Sequence, residues 1–309
     1  MQALLEIILP VFVVIGFGYI VAWKGLFEES AVDGLVRFTQ NFAIPCLLFR
    51  AISVIELGAI TNVPLIFSFY IGAFASFFLG YAGAKAFFDR SSTDAVAIGF
   101  CCFFSNTILL GLPITERAYG PDALVGNFAI IAFHAPLLYF VGVTAMELFR
   151  NQGSSLAEKA SSVFGAMFRN PFVIAIALGL AVNITSLPLP SPVIKGVDLI
   201  ANAALPAALF GLGGLLVRYK PEGDLKTILM VCVISLVLHP AIVFAVGTAT
   251  ALDQSSMRSA VLTASMAPGV NTYVFANLYG SARRVAAASV LIATAASIVS
   301  VWFWLLILP

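Results

Sequence analysis

The chain has 309 residues, of which 61% are hydrophobic and only 10% charged, with a net charge of +1 and a mean hydropathy of +1.03. A soluble domain carries about 25% charged residues, so this composition excludes an ordinary soluble fold and points to an all-α polytopic membrane protein. No run of basic residues resembles a nucleic-acid patch, so no nucleic-acid partner is expected.

The four cysteines, Cys46, Cys101, Cys102 and Cys232, all fall in apolar stretches. They show neither metal-ligand spacing nor a disulfide framework and read as small membrane hydrophobes, so no metal or cofactor is expected. The N-terminus has Glu6 where a signal peptide would be basic, and its apolar run reaches Trp23 without a small-residue cleavage site. That pattern predicts a retained first helix.

About twenty apolar residues span a bilayer. Ten segments fit that length, at roughly 4–23, 34–53, 62–84, 94–113, 122–147, 170–187, 193–216, 226–249, 258–279 and 285–308. The longest polar stretch, NQGSSLAEKASS at 151–162, divides the chain into residues 1–150, a linker 151–169 and residues 170–309.

The halves resemble each other. Asn41-Phe-Ala-Ile-Pro45 matches Asn202-Ala-Ala-Leu-Pro206 at an offset of 161 residues. Ala95-Val96 precedes Asn106-Thr107 by eleven residues, as Ala260-Val261 precedes Asn271-Thr272, at an offset of 165. A repeat of five spans is inverted in the membrane, because five is odd. With ten spans both termini share one side. Arg50, Arg117, Lys195 and Arg258 fall on that side and the other twelve Lys and Arg on the opposite one. The positive-inside rule then places both termini outside and the linker in the cytoplasm.

Two apolar stretches are interrupted. Residues 103–120, FFSNTILLGLPITERAYG, hold Asn106 and Thr107 and then the helix breakers Gly111 and Pro113. Residues 267–280, APGVNTYVFANLYG, hold Pro268, Gly269, Asn271 and Thr272. Broken backbone at membrane depth is tolerated only when packed in protein or lining a wet cavity. Paired interruptions in two halves are the sequence pointer to a transporter binding site. Each break presents a half-helix N-terminus, which favours an anion. The asparagines add amide groups and the threonines hydroxyls. Asn41 and Asn202, each four residues before a proline, join the substrate-binding candidates, with Pro45 and Pro206 as hinges or kinks. The bland alternative for any intramembrane Asn is interhelical glue. His134, His239 and Asp198 are candidates for proton coupling, although a hydrogen-bonded structural role competes for both histidines.

At these two stretches the chain resembles the auxin efflux carrier family, which includes plant PIN transporters and bacterial organic-acid permeases. The resemblance rests on Asn106-Thr-Ile-Leu-Leu-Gly-Leu-Pro113 with Tyr119-Gly120, and on Pro268-Gly-Val-Asn-Thr-Tyr-Val-Phe-Ala276 with Tyr279. It implies ten helices in two inverted five-helix repeats, related to bile-acid/sodium symporter-like carriers, with helices 4 and 9 crossing at the substrate site. It also implies elevator-type movement, a homodimer, and a bacterial inner-membrane location. The chain departs from PIN-like members at Ser105, where they commonly carry proline.

The expected function is secondary or potential-driven transport of small organic anions, either carboxylates of the malonate or malate type or auxin-like acids. No phosphate-loop motif is present for direct ATP drive. Uniport, proton coupling and sodium coupling all stay open. An ion channel is the first rival and would need a continuous polar stripe. An intramembrane enzyme would need paired catalytic groups, and a sensor would usually need an output domain.

Overall fold

The computed structural model describes residues 4–54, 62–150 and 169–308; the polar stretch 151–162 lies outside them. Among the described residues, helix is the regular structure apart from one isolated backbone bridge. The first half holds α1 (Leu9–Trp23), α2 (Glu29–Phe38), α3 (Ile44–Ile52), α4 (Val63–Phe88), α5 (Ser92–Phe103), α6 (Leu112–Tyr119) and α7 (Leu124–Arg150). The second holds α8 (Pro171–Thr185), α9 (Ser191–Asn202), α10 (Ala204–Leu216), α11 (Leu225–Val233), α12 (His239–Ala249), α13 (Gln254–Ala264), α14 (Val270–Tyr279) and α15 (Arg283–Ile307).

Helix occupies each of the ten apolar segments. Among the described residues, six helical stretches are long and apolar enough to cross a membrane: Glu6–Trp23, Val63–Phe88, Pro121–Arg150, Ser191–Leu216, Leu225–Ala249 and Arg283–Ile307. The chain therefore has the make-up of a polytopic membrane protein.

Four prolines leave a common mark. A π-helical turn precedes each: Leu4–Ile8 before Pro10, Thr39–Ala43 before Pro45, Thr107–Gly111 before Pro113, and Ile234–Leu238 before Pro240. Proline lacks an N–H, and its ring collides with the carbonyl four residues back. The helix avoids the collision by widening for one turn. Before the last three, the residue preceding the proline donates five residues back: Ile44 to Thr39, Leu112 to Thr107 and His239 to Ile234. This is why the helix runs on through Gly111 and Pro113, where the sequence predicted an interruption. Gly111 itself has helical angles, φ −61° and ψ −52°. Pro45 likewise continues a helix after its π turn, and Pro206 sits in the first turn of α10, just past a turn at Ala203.

The chain divides into two compact units, each drawing on both halves of the sequence. One contains α1, α2, α3, α8, α9 and α10. Its α1 and α10 pack through glycine: a Cβ on Gly18 would overlap the Phe210 carbonyl, and one on Gly213 would overlap that of Ile15. Apolar lipid gives helices no hydrophobic drive to associate, so such backbone-to-backbone contact supplies the dispersion energy. In this unit Arg50 pairs with Asp198 at 2.9 Å, and Arg218 bridges Glu29 at 3.0 Å and Asp33 at 2.7 Å.

The other unit contains α4 to α7 and α11 to α15. Here α4 and α5 approach at Gly80 and Gly99; a Cβ on Gly99 would come within 2.8 Å of the Phe77 carbonyl oxygen. Short polar residues start these helices, each accepting from its own first turn: Asn62 for α4, Ser91 for α5, Asp224 for α11 and Asp253 for α13. Such caps satisfy N–H groups that have no partner within the helix.

Candidate functional site: two paired helix breaks

Helix α5 ends at Phe103, and residues 104–106 leave the helix before the chain turns helical again at Thr107. Helix α13 ends at Ala264, and α14 begins at Val270. The two non-helical stretches meet in an antiparallel bridge, with Ser105 facing Pro268. The Asn106 N–H donates to the Ala267 carbonyl at 2.8 Å, and the Gly269 N–H donates to the Phe104 carbonyl at 2.8 Å. The facing residues exchange no hydrogen bond themselves, so a proline, which has no N–H to give, fits at position 268. The pairing satisfies four backbone groups that would each cost several kcal/mol if left bare at membrane depth.

Local sequence sets each break. Proline 268 drives Ala267 out of the helical region, and Gly269 has no side chain to fill the crossing. Its would-be Cβ lies 3.4–3.5 Å from Phe104 and Asn106 Cα. Asn106 competes with the helix for backbone hydrogen bonds, as short polar side chains do. Its Oδ1 accepts from the Leu109 N–H at 3.1 Å and so caps the following turn.

The two half-helix starts differ in consequence. The turn after Asn106 carries its own cap. Helix α14 does not: its N-cap is Gly269, with no side-chain acceptor. The first N–H groups of a ten-residue helix therefore have no side-chain cap and bear the positive end of its dipole. Beside them lies Asn106, 5% exposed, whose Nδ2 donor has no partner. Capping fixes the amide orientation, so the unpaired end is the donor. An uncapped helix start and a buried unused amide donor are both groups whose chemistry favours an anion.

The remaining candidates sort clearly. Thr107 and Thr272 are buried, and the Thr272 hydroxyl donates to the Gly269 carbonyl at 2.7 Å. Asn271 is exposed on the first turn of α14, and its carbonyl lies 3.4 Å from the Tyr139 hydroxyl. His134 is buried against the first break, its Nε2 3.2 Å from the Ser105 carbonyl. His239 is fully buried, with Phe69 packed against it and against His134 at 5.5 and 5.7 Å. Asp198, Asn41 and Asn202 belong to the other compact unit. There Asp198 is held by Arg50, and the two asparagines are exposed, Asn41 within the Thr39–Ala43 π turn and Asn202 at the end of α9.

Sequence reasoning missed several residues. Phe100 and Phe275 stack with parallel planes at 3.9 Å and tie α5 to α14. Gly142 makes room for them, since a Cβ there would overlap the Phe100 ring. Asn127 is fully buried and donates to the hydroxyls of Thr263 at 2.9 Å and Thr115 at 3.2 Å. Its place four residues into an apolar helix was the available signal, because a buried polar residue there needs a reason.

Two interrupted helices joined through their backbones, inside a bundle of this hydropathy, define a polytopic membrane transporter. The sequence model of the membrane transport protein family matches residues 3–305. The chain belongs to that family, the auxin efflux carriers that the two broken stretches resemble. A protein of Rhizobium meliloti (strain 1021) named "Putative malonate transporter" is 26% identical to it, over 97% of this chain and 94% of that protein. "Uncharacterized transporter YfdV" of Escherichia coli (strain K12) is 22% identical over 96% of this chain and 95% of its own. "Lysosomal cholesterol signaling protein" of Mus musculus is 27% identical over 67% of this chain, a region that makes up 25% of that protein.

Proposed function

We propose that the chain carries small organic anions, carboxylates of the malonate or malate type or auxin-like acids, and binds them where Asn106 meets the start of α14. The observation that carries this reading is the uncapped N-terminus of α14 beside the unpartnered Asn106 donor. No Lys or Arg stands at the crossing: α14 has none, and Arg258 lies about ten residues before Pro268. Dipoles and amides hold an anion more loosely than a fixed cation would, which suits a carrier that must release its cargo. The similarity to a protein whose name says malonate favours a dicarboxylate first.

In this reading the ten helical segments form two inverted five-helix repeats, residues 1–150 and 170–309. Both termini are outside, and the 151–169 linker is cytoplasmic in a bacterial inner membrane. Alternating access is of the elevator type. Both breaks lie within one compact unit, which supports a binding site that travels as a body.

The test is counterflow in proteoliposomes with labelled malonate, malate, lactate and an indole acid, for wild type, Asn106→Ser and Asn271→Ala. Saturable exchange by wild type that weakens in both variants is the expected result. Folded wild type that exchanges none of these acids would overturn the anion reading.

A further inference from the structure

His134 stands apart from the other buried polar residues because it is tied to the backbone of the break. Its Nε2 lies 3.2 Å from the Ser105 carbonyl. That geometry makes Nε2 the protonated donor nitrogen of the neutral ring. Nδ1 is then a lone pair, buried and without a partner. The Phe69 ring, 5.7 Å away, and the Phe104 ring, 4.7 Å away, flank the imidazole. The side chain is 3% exposed. One proton-accepting nitrogen thus sits one ring away from the carbonyl that precedes Asn106.

The titratable groups around it are neutral ones. Tyr70 donates to the Ile130 carbonyl at 2.9 Å, Tyr139 lies against the Asn271 carbonyl, Cys101 is buried on α5, and His239 also packs on Phe69. The charged residues of the helices packed around His134 are Lys85 on α4, Asp94 on α5, Glu116 and Arg117 on α6, Glu147 and Arg150 on its own helix, and Arg258 on α13. Each is ten or more residues along its chain segment from the crossing or from the residues that meet His134, about 15 Å at the helical rise. Neither a fixed anion nor a fixed cation serves the site.

The geometry points to His134 as the proton-binding site that couples anion transport to protons, through its hydrogen bond to the Ser105 carbonyl at the crossing. This rests on the carrier reading given above. A lone imidazolium in such a place is costly, and so is a lone carboxylate. Together they offset each other. The proton is taken up at Nδ1, both ring nitrogens then carry N–H while Nε2 keeps the Ser105 carbonyl, and no bond other than N–H changes. An anion at the α14 N-terminus raises affinity for the proton, and the proton raises affinity for the anion by the same factor. His239 plays no such part: neither of its nitrogens has a partner, and its ring lies against Gly72 and Phe69.

The test compares wild type, His134→Gln and His239→Gln in proteoliposomes, with labelled malonate and with lactate as a monoanion. Glutamine at 134 keeps an N–H for the Ser105 carbonyl but does not titrate, so the break stays closed. Counterflow without a pH gradient reports a folded carrier. Accumulation against an inside-alkaline gradient reports coupling. Wild type and His239→Gln are expected to accumulate lactate by up to about tenfold per pH unit, the ratio a one-proton symport sustains. His134→Gln should retain counterflow and equilibrate without accumulation, and its KM should no longer rise with pH. His134→Gln that accumulates like wild type would overturn the inference and leave the carrier reading intact. So would counterflow by wild type with no response to the gradient. Wild type without counterflow for any tested acid would overturn the carrier reading and this inference with it.

Discussion

Asn106→Ser separates the two ends of one amide. Serine caps a helix about as well as asparagine, so the bond to the Leu109 N–H survives in kind. What disappears is Nδ2, a buried donor without a partner. Such a donor costs the substrate-free protein about 1–3 kcal/mol. Its removal offsets the small void left by the shorter side chain, so the variant should melt at or above the wild-type temperature. Toward a bound carboxylate the sign reverses. A hydrogen bond to a charged group is worth about 1.5–3 kcal/mol, and each 1.4 kcal/mol is about tenfold in affinity. Half-saturation for exchange should therefore rise about ten- to a hundredfold. Asn106→Ala loses the cap as well, about 1 kcal/mol, and should melt below Asn106→Ser. The assay pairs counterflow over a concentration series with thermal melting in detergent. Wild-type half-saturation in Asn106→Ser would refute the assignment of this donor to the anion, and a melt as low as that of Asn106→Ala would refute the capping argument.

Gly269→Ser is expected to give α14 the cap it lacks. The added Cβ meets neighbours at ordinary contact distance, 3.4–3.5 Å, and the hydroxyl competes with an anion for the same N–H groups; melting should hold while exchange affinity falls severalfold. Gly213→Ala should sharply reduce folded yield on size exclusion, because its Cβ overlaps the Ile15 carbonyl, whereas Gly16→Ala, with nothing within 4 Å, should behave as wild type. Asp224 accepts from Thr227, Arg90 and the Lys226 N–H. The Thr227 hydroxyl bond above all holds its carboxyl below the ordinary value. A depressed folded value means its stabilisation is present above the usual carboxylate range and lost as pH falls through the folded value. Asp224→Asn should therefore lower the melting temperature at neutral pH and converge with wild type in acid.

How much of this was legible depended on whether the cause was local. Hydropathy marked the helical segments because each needs only its own residues to be apolar. The break at Pro268-Gly269 was legible because those two residues impose it. At the first break the same reasoning chose Gly111 and Pro113, yet a π turn carries the helix through them, and the interruption falls at residues 104–106. Helix breaking by proline is conditional: one widened turn relieves the clash. The pairing of Ser105 with Pro268 joins distant parts of the chain through backbone atoms, which leave no side-chain signature. The same holds for His134, whose partner is a carbonyl. The matching of Asn106 with Asn271 suggested equal roles, but one is a buried cap and the other is exposed on a helix whose cap is glycine.

The most direct test of the central claim is amide hydrogen–deuterium exchange of the wild-type carrier, with and without an acid that it exchanges in counterflow. The uncapped N–H groups at the start of α14 are the ones assigned to the anion. Saturating acid should slow exchange in peptides covering residues 269–272 and 106–109, with half-effect near the transport half-saturation. Unchanged exchange there, at concentrations that saturate transport, would contradict the account and move the binding site away from the paired breaks.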